Sequence, residues 1–377
     1  MTQVPVSFSR LQTVARELGF QYCGFAPAEP VSDDFRQSYL HWLAEGKQGE
    51  MRYLENHLEK RFNPRLLVEG TQTIVSLAMN YRPHPDRVVE GIAWYAQGVD
   101  YHEVLRERMQ QLMQRLELHG RCFVDTAPVP ERYWAVRCGL GWIGRHGQLV
   151  IPGEGSTFFL GELFIQEIIS DDRLSSSSPY EVSSSASSSA SDGHLSVPEA
   201  PLSASEVSLY ASEAPLSALE APLSTLEAPL SIPEASASGD SLLPSSFVSR
   251  CGKCHRCLDA CPSPTSCLNY WLIEYRGETF PDDISSILSS PEMHGCFYGC
   301  DRCLRACPHL RVDATSEDSF CSSPALQAMT PADWLTLTPE DYRTLFRHSA
   351  VRRVKYEALM RNIRATLSHL PSSEQSR

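Results

Sequence analysis

The chain has no apolar run approaching the ~20 residues that a membrane-spanning helix needs. Met1 to Arg10 contains no apolar core of a secretory signal. Both absences point to a cytoplasmic protein, where thiols stay reduced and disulfides are not expected. The chain also lacks an excess of positive charge, with 33 Lys and Arg against 46 Asp and Glu and a net charge of −13. Taken alone, that balance argues against a nucleic-acid partner. The deficit is local, however. Residues 171–250 hold eleven acids and only Arg173 and Arg250 as bases, so this stretch carries −9 and the rest of the chain −4.

This acidic stretch is rich in Ser, Ala and Pro and repeats every seven residues, at Glu199, Glu206, Glu213, Glu220, Glu227 and Glu234. A heptad suggests a coiled coil. Pro201, Pro215, Pro222 and Pro229 forbid one, because each removes a helix hydrogen bond and clashes with the preceding turn. Residues 171–249 are therefore expected to be a low-complexity, disordered insertion. It separates an N-terminal unit, 1–170, from a cysteine-rich unit, 250–312, and a helical tail, 313–377.

Thirteen cysteines are present; seven fall in two groups, and Cys267 lies between them. Cys251, Cys254, Cys257 and Cys261-Pro262 read C-x2-C-x2-C-x3-C-P, the run of bacterial two-cluster ferredoxins. Cys300, Cys303 and Cys307-Pro308 read C-x2-C-x3-C-P. Cubane irons take soft thiolates, and two-residue spacers let a turn aim successive sulfurs at neighbouring irons. The fourth cysteine of such a run ligates the other cluster. Cys251, Cys254 and Cys257 then share a [4Fe–4S] cluster with Cys307, and Cys261 joins Cys300 and Cys303. Spacing leaves the eighth ligand open between Cys267 and Cys296; a strict repeat would use position 297, which is Phe297. Zinc also binds C-x2-C pairs, but a C-x2-C-x2-C triplet followed by C-P suits it poorly. Cys23, Cys122, Cys138 and Cys321 read as ordinary thiols.

In the N-terminal unit, residues 8–18 and 101–119 read as helices, the second with Val104, Leu105, Met109, Leu112, Met113 and Leu116 on one face. Residues 73–81, 122–128 and 158–169 read as strands, the middle one ending in a turn. Strands alternating with helices suggest α/β layers. Asp125 sits at a strand end beside a proline turn, a place for a catalytic carboxylate or for a turn residue. Gly139, Gly141 and Gly144 match G-x-G-x-x-G, but a helical stretch precedes them where a dinucleotide fingerprint needs a first strand. They are expected instead to let something large and flat approach the backbone. His146 is expected to be a surface histidine.

The segments VDTAPVPERYWAVRCGLGWIGRH and GSTFFLGEL, followed by the two cysteine groups, resemble the epoxyqueuosine reductase family. Further matching segments are YLHWLAEGKQGEMRYLENHLEKRFNPRLLVEG, SCLNYWLIEYRGE, FYGCDRCLRACP and SAVRRVKYEALMRNI, so the resemblance covers nearly the whole chain. It implies an α/β (α+β) corrinoid-binding domain similar to reductive dehalogenases, a two-[4Fe–4S] ferredoxin-like domain and a short helical C-terminal segment. It implies two cofactor types, the two clusters and cobalamin, with the clusters feeding electrons to reduced cobalt for reduction of epoxyqueuosine to queuosine at the tRNA wobble position. By the same matching Asp125 is the proton donor, since an epoxide oxygen leaving as an anion needs a proton that a carboxylic acid in an apolar pocket supplies. Arg61, Leu149, Leu160, Asn269 and Asp301 correspond to corrinoid contacts, and Cys267 to the eighth cluster ligand. A tRNA partner makes Arg276, Arg352, Arg353 and Lys355 candidate phosphate contacts, with Arg361 and Arg364 continuing the basic stretch. A low-potential electron donor and a monomeric state are expected as well. The competing expectation is a corrinoid iron–sulfur reductase of a small molecule. The 171–249 insertion and the absence of a longer helical-repeat extension depart from the family pattern.

Overall fold

The computed structural model describes residues 6–125, 127–172, 250–263, 265–293, 295–311 and 316–367. Apart from Asp171 and Asp172, the expected insertion at 171–249 lies outside the described residues. So do the last ten residues of the expected tail.

Eight strands are described: β1 (Val6–Ser7), β2 (Tyr22–Pro27), β3 (Thr73–Asn80), β4 (Gly120–Phe123), β5 (Trp142–Ile143), β6 (Leu149–Val150), β7 (Phe158–Ile165) and β8 (Ile169–Ser170). The central sheet has the order β2-β3-β7-β4, and every pairing in it is antiparallel. β3 is buried along its whole length, as its unbroken apolar run TIVSLAM requires when helices cover both faces. The expected strand 158–169 is interrupted after Ile165, and β8 leaves to pair with β1.

The helices of this unit are α1 (Phe8–Glu17), α2 (Asp33–Ala44), α3 (Leu58–Phe62), α4 (Pro64–Leu67), α5 (Tyr101–Leu116) and α6 (Glu131–Arg137). Local chemistry starts the long ones. Ser7, Ser32 and Asp100 each place a side-chain oxygen on a first-turn N–H of α1, α2 and α5, which satisfies donors that have no partner within a helix. In α5, Tyr101, Leu105, Met109, Leu112 and Leu116 are buried at helical spacing. They pack with α1 on Val75, Leu77, Met79 and Leu163 of one sheet face. Phe35 of α2 and Tyr133, Trp134 and Ala135 of α6 pack on Ile74, Ala78 and Phe164 of the other face. Each fully buried Leu contributes about 1.5–3 kcal/mol relative to exposure. The expected α/β layering is present, and its sheet is built from antiparallel pairings between strands far apart in the chain.

The remaining helices are α7 (Arg256–Asp259), α8 (Asp282–Leu288), α9 (Arg302–Arg305), α10 (Pro324–Gln327), α11 (Pro331–Leu335), α12 (Pro339–Leu345) and α13 (Tyr356–Leu367). A third core joins Val89, Ile92 and Ala96 to Leu272, Phe297, Tyr298, Trp334, Phe346, Leu359 and Ile363. Segment 89–96, which follows β3 in the chain, thus packs inside the cysteine unit and tail. Gly91 O accepts from the Phe297 and Tyr298 N–H groups at 3.0 and 2.9 Å, and Ala93 N–H donates to Tyr298 O at 2.8 Å. The buried Asn362 amide of α13 donates to Leu272 O and Phe297 O. The Gly91 and Ala93 bonds fix the cysteine unit against the N-terminal unit, and the Asn362 bonds fix the tail to it. Among the described residues, no helix is long and apolar enough to cross a membrane.

Candidate active site

A cavity of about 620 Å³ lies where the two units meet. From the sheet domain it is lined by Asp125, Leu149, Phe158, Phe159 and Leu160, and from the cysteine unit by Cys267, Asn269, Cys300, Asp301 and Cys303. The exposed charged and polar lining residues Glu103, Arg106, Arg347, His348 and Arg352 mark the mouth.

Asp125 follows the end of β4 and adopts a left-handed backbone at φ 50°, a conformation that Asp and Asn tolerate better than most residues. Its N–H donates to Glu131 Oε1 at 2.6 Å, at the N-terminus of α6. Its carboxylate accepts from Tyr101 Oη and lies 3.7 Å from His102 Nε2. His102 Nδ1 is 2.7 Å from Asp100 Oδ1. Burial pushes the Asp100 carboxyl up, but the His102 hydrogen bond and charge outweigh that and hold it below its ordinary value. Tyr101 stacks on Phe159 at 4.2 Å between ring centroids. Burial and then the Asp125 charge raise its phenol well above the usual range, so it acts as a donor. The first turn of α5 therefore delivers Tyr101 and His102 to one carboxylate, whose surroundings are polar rather than the apolar pocket expected. Sequence reading passed over these partners and Glu131. Asp100-Tyr-His at the start of a well-formed amphipathic helix was the available signal.

Beneath Asp125 lies a third carboxyl. Glu162 of β7 is 0% exposed, accepts from Ser76 Oγ at 3.1 Å through Oε1, and has no partner for Oε2. Burial raises both Glu131 and Glu162 well above the carboxylate range, with the Asp125 charge adding to each. A single Glu inside the apolar strand FFLGELFI was the sign of this group.

The glycine run serves its own chain. Gly139 closes α6 with φ 82°, the αL cap that glycine adopts without strain. A side chain at Gly141 would meet Val150 O at 2.0 Å, so the close approach here is made by β6, not by a ligand. His146 is not a surface histidine. It lines the cavity, its Nδ1 accepts from Gln148 N–H at 3.1 Å, and burial followed by Arg132 and His309 lowers its pKa to about 4.

All thirteen cysteines are free. The short helices α7 and α9 pack on each other. Burial and then Cys251 and Cys307 raise the Cys257 thiol. Burial raises Cys307 against the His309 N–H, and Cys251 and Cys254 add to it. Burial and then Cys267, Cys300, Asp301 and Cys261 raise Cys303. The thiols thus sit in two neighbourhoods, Cys251/Cys254/Cys257/Cys307 and Cys261/Cys267/Cys300/Cys303. Cys296 lies near Cys300 but does not line the cavity. Among the described residues no three His, Cys, Asp or Glu side chains converge to hold a single metal ion.

Four of the expected corrinoid contacts besides Asp125 reach the cavity: Leu149, Leu160, Asn269 and Asp301. Asn269 Oδ1 is buried and has no partner. Asp301 accepts from Trp94 N–H at 2.7 Å, and burial raises its pKa to about 6 against that bond. Arg61 does not line the cavity; it is buried over the Tyr39 ring, with the guanidinium 5.4 Å from its centroid.

The basic stretch divides. Arg352 and Arg353 belong to a 3₁₀ turn, Ala350–Arg353, that ends before α13 begins, so the five cations do not share one helix face. Arg352 is exposed at the mouth. Arg353 binds the buried Glu274 at 2.6 Å. Arg361 lies over Phe280 at 4.3 Å and donates to Gly277 O. Lys355 and Arg364 are exposed outside the cavity lining, and Arg276, also exposed, lies 3.9 Å from Glu274.

A carboxylate held by Tyr101 and His102, facing one cavity with thiols at iron–sulfur spacing, is the site of an oxidoreductase. The model of the family "Epoxyqueuosine reductase QueG, DUF1730" matches residues 61–126. An epoxyqueuosine reductase of Cyclobacterium marinum is 30% identical over 373 residues, covering 94% of each chain. The chain belongs to the epoxyqueuosine reductase family. A crystal structure of epoxyqueuosine reductase with an epoxyqueuosine-modified tRNA-Tyr stem loop shares the fold, with TM-score 0.67 and 20% identity, covering 96% of this chain and 80% of that one. A Bacillus subtilis epoxyqueuosine reductase with its catalytic loop swung out of the active site matches with TM-score 0.65 and 19% identity, over 96% and 81% of the two chains.

Proposed function

We propose that this chain reduces epoxyqueuosine to queuosine at the tRNA wobble position, the epoxide oxygen leaving as water with uptake of two electrons and two protons. The observation that carries this reading is the shared cavity: Asp125 and Cys267, Cys300 and Cys303 line the same space. Cys251, Cys254, Cys257 and Cys307 hold one [4Fe–4S] cluster and Cys261, Cys267, Cys300 and Cys303 the other. The donor set suits iron, since thiolates are its preferred soft ligands. A corrinoid fits the cavity: Leu149 and Leu160 supply an apolar surface, and the unpartnered Asn269 Oδ1 supplies an acceptor for its amide rim. Bound there, the corrinoid provides the reducing centre and the clusters the single electrons.

The chain's own residues govern the proton and the substrate. Asp125 gives its proton to the epoxide oxygen as the C–O bond breaks. Tyr101 and His102 fix the carboxyl group that must make that transfer. Arg106, Arg347 and Arg352 at the mouth neutralise phosphates of the RNA. Arg276 and Lys355 extend this surface, while Arg353 holds the tail against Glu274. An external low-potential carrier supplies the electrons to a cytoplasmic monomer. In this reading residues 1–170 form the corrinoid domain, 250–312 the cluster domain and 313–377 the tail.

Nucleoside analysis of tRNA from a strain lacking the protein tests the reading. Accumulated epoxyqueuosine supports it, and a normal queuosine level overturns it in favour of a small-molecule reductase.

A further inference from the structure

Asp125 is not the sole carboxyl at the reacting end of the cavity, and the role assigned to it leaves two neighbours unused. Glu131 lines the cavity at the start of α6. It reaches back across the turn to accept the Asp125 N–H at 2.6 Å. Glu162 stands behind both, fully buried, with Oε2 unsatisfied. Arg61 acts on Glu131 only through space and forms no ion pair with it. Tyr101 donates to Asp125 from the α5 side. The charged and titratable groups facing Glu131 are therefore Asp125, Glu162, Tyr101 and Arg61. Glu131 and Glu162 lie beside Asp125, and like charges this close disfavour ionisation of all three at once. Burial and the Asp125 charge favour the neutral acid at Glu131.

We propose that Glu131 is the second acid of the site, a positioning and proton-reserve residue that clamps Asp125 through its N–H and returns a proton to it after each transfer. The inference rests on Asp125 being the proton donor. In the first step the Asp125 O–H bond breaks and its proton passes to the epoxide oxygen. In the second the Glu131 O–H bond breaks and its proton passes to the Asp125 carboxylate, leaving Asp125 neutral and Glu131 ionised. Solvent at the cavity mouth then reprotonates Glu131. No oxidant or reductant enters either step. The clamp also has a mechanical consequence. Asp125 sits at φ 50° on a turn, and the Glu131 bond ties that turn to α6. The swung-out catalytic loop of the Bacillus subtilis enzyme is the kind of motion such a tie restrains.

Glu131→Gln separates the two roles, because the amide oxygen still accepts the Asp125 N–H while the exchangeable acid is gone. We expect kcat on an epoxyqueuosine stem loop to fall at least about tenfold, with KM unchanged and the alkaline limb of the pH profile moved to lower pH. Glu131→Asp restores part of kcat. Independently of turnover, infrared spectra of the cofactor-free protein at neutral pH should lose a protonated-carboxyl band in Glu131→Gln. Wild-type kcat with an unmoved pH profile, or an unchanged infrared band, overturns the proposal. Asp125→Asn run alongside keeps the cases apart: if that variant also turns over normally, the assignment of Asp125 has failed, not merely that of Glu131.

Discussion

Replacing Asp125 by Asn removes one proton and very little else. Asn has nearly the same shape and tolerates the left-handed backbone at φ 50°. Its N–H still reaches Glu131 Oε1, and its amide oxygen still accepts from Tyr101 Oη. The folded state and the RNA-binding mouth should therefore survive. The loss falls on the chemical step. General acid catalysis supplies about 10²–10⁴-fold, or roughly 3–5 kcal/mol of barrier. Single-turnover conversion of an epoxyqueuosine stem loop by reconstituted protein should slow by that factor, while its Kd, read by fluorescence anisotropy, stays within about twofold. Asp125→Ala is a poorer probe, because a Cβ residue without a local polar partner adds about 1–2 kcal/mol of strain at positive φ. A rate for Asp125→Asn within about threefold of wild type would refute the reasoning, since no general acid of any consequence is that dispensable.

Three further outcomes follow from the packing. Reconstituted wild-type protein should hold about eight irons, Cys267→Ala should lose iron from the cluster nearest the cavity, and Cys296→Ala should keep the full complement, all read by iron analysis and electron paramagnetic resonance; equal losses in the two variants would break the ligand assignment. Burial raises the Glu162 carboxyl well above its ordinary range, so the folded state favours the proton and its stability falls as pH rises above the ordinary Glu value, by up to about 1.4 kcal/mol per pH unit. Glu162→Gln should accordingly gain Tm relative to wild type between pH 5 and pH 8 in cofactor-free protein, and parallel Tm curves would contradict it. Gly141→Ala forces a Cβ to 2.0 Å from Val150 O, where backbone must move, and should cost about 1–3 kcal/mol or more in chemical denaturation; an unchanged midpoint would show that the β5–β6 hairpin yields freely.

The elements that formed as read are those whose signal is local. Strand β3 is announced by eight successive residues that suit a two-sided interior, and α5 by apolar residues at helical spacing behind an Asp cap. The paired cysteine runs were legible for the same reason, because ligand spacing within a turn is covalent geometry. Pairing direction was not legible. Nothing in the alternation of strands and helices says that β3 and β7 run antiparallel, or that residues 89–96 fill the core of another unit.

Long-range contacts also settled which polar groups matter. The sequence by itself placed Asp125 at a strand end and left its partners unknown, because Tyr101 and Glu162 lie 24 and 37 positions away and Glu131 lies beyond a proline turn. The basic stretch near the C-terminus looked uniform as sequence. In the fold Arg353 is spent on Glu274 and Arg361 on Phe280 and nearby carbonyls, leaving Arg352 exposed at the mouth. Composition and spacing determine what a segment can be, since they act over a few residues. The positions of charges, and of the three carboxyls that share a dry site, are decided only when the sheet and its covering helices bring distant residues within a few ångströms, where burial and Coulomb energy become large.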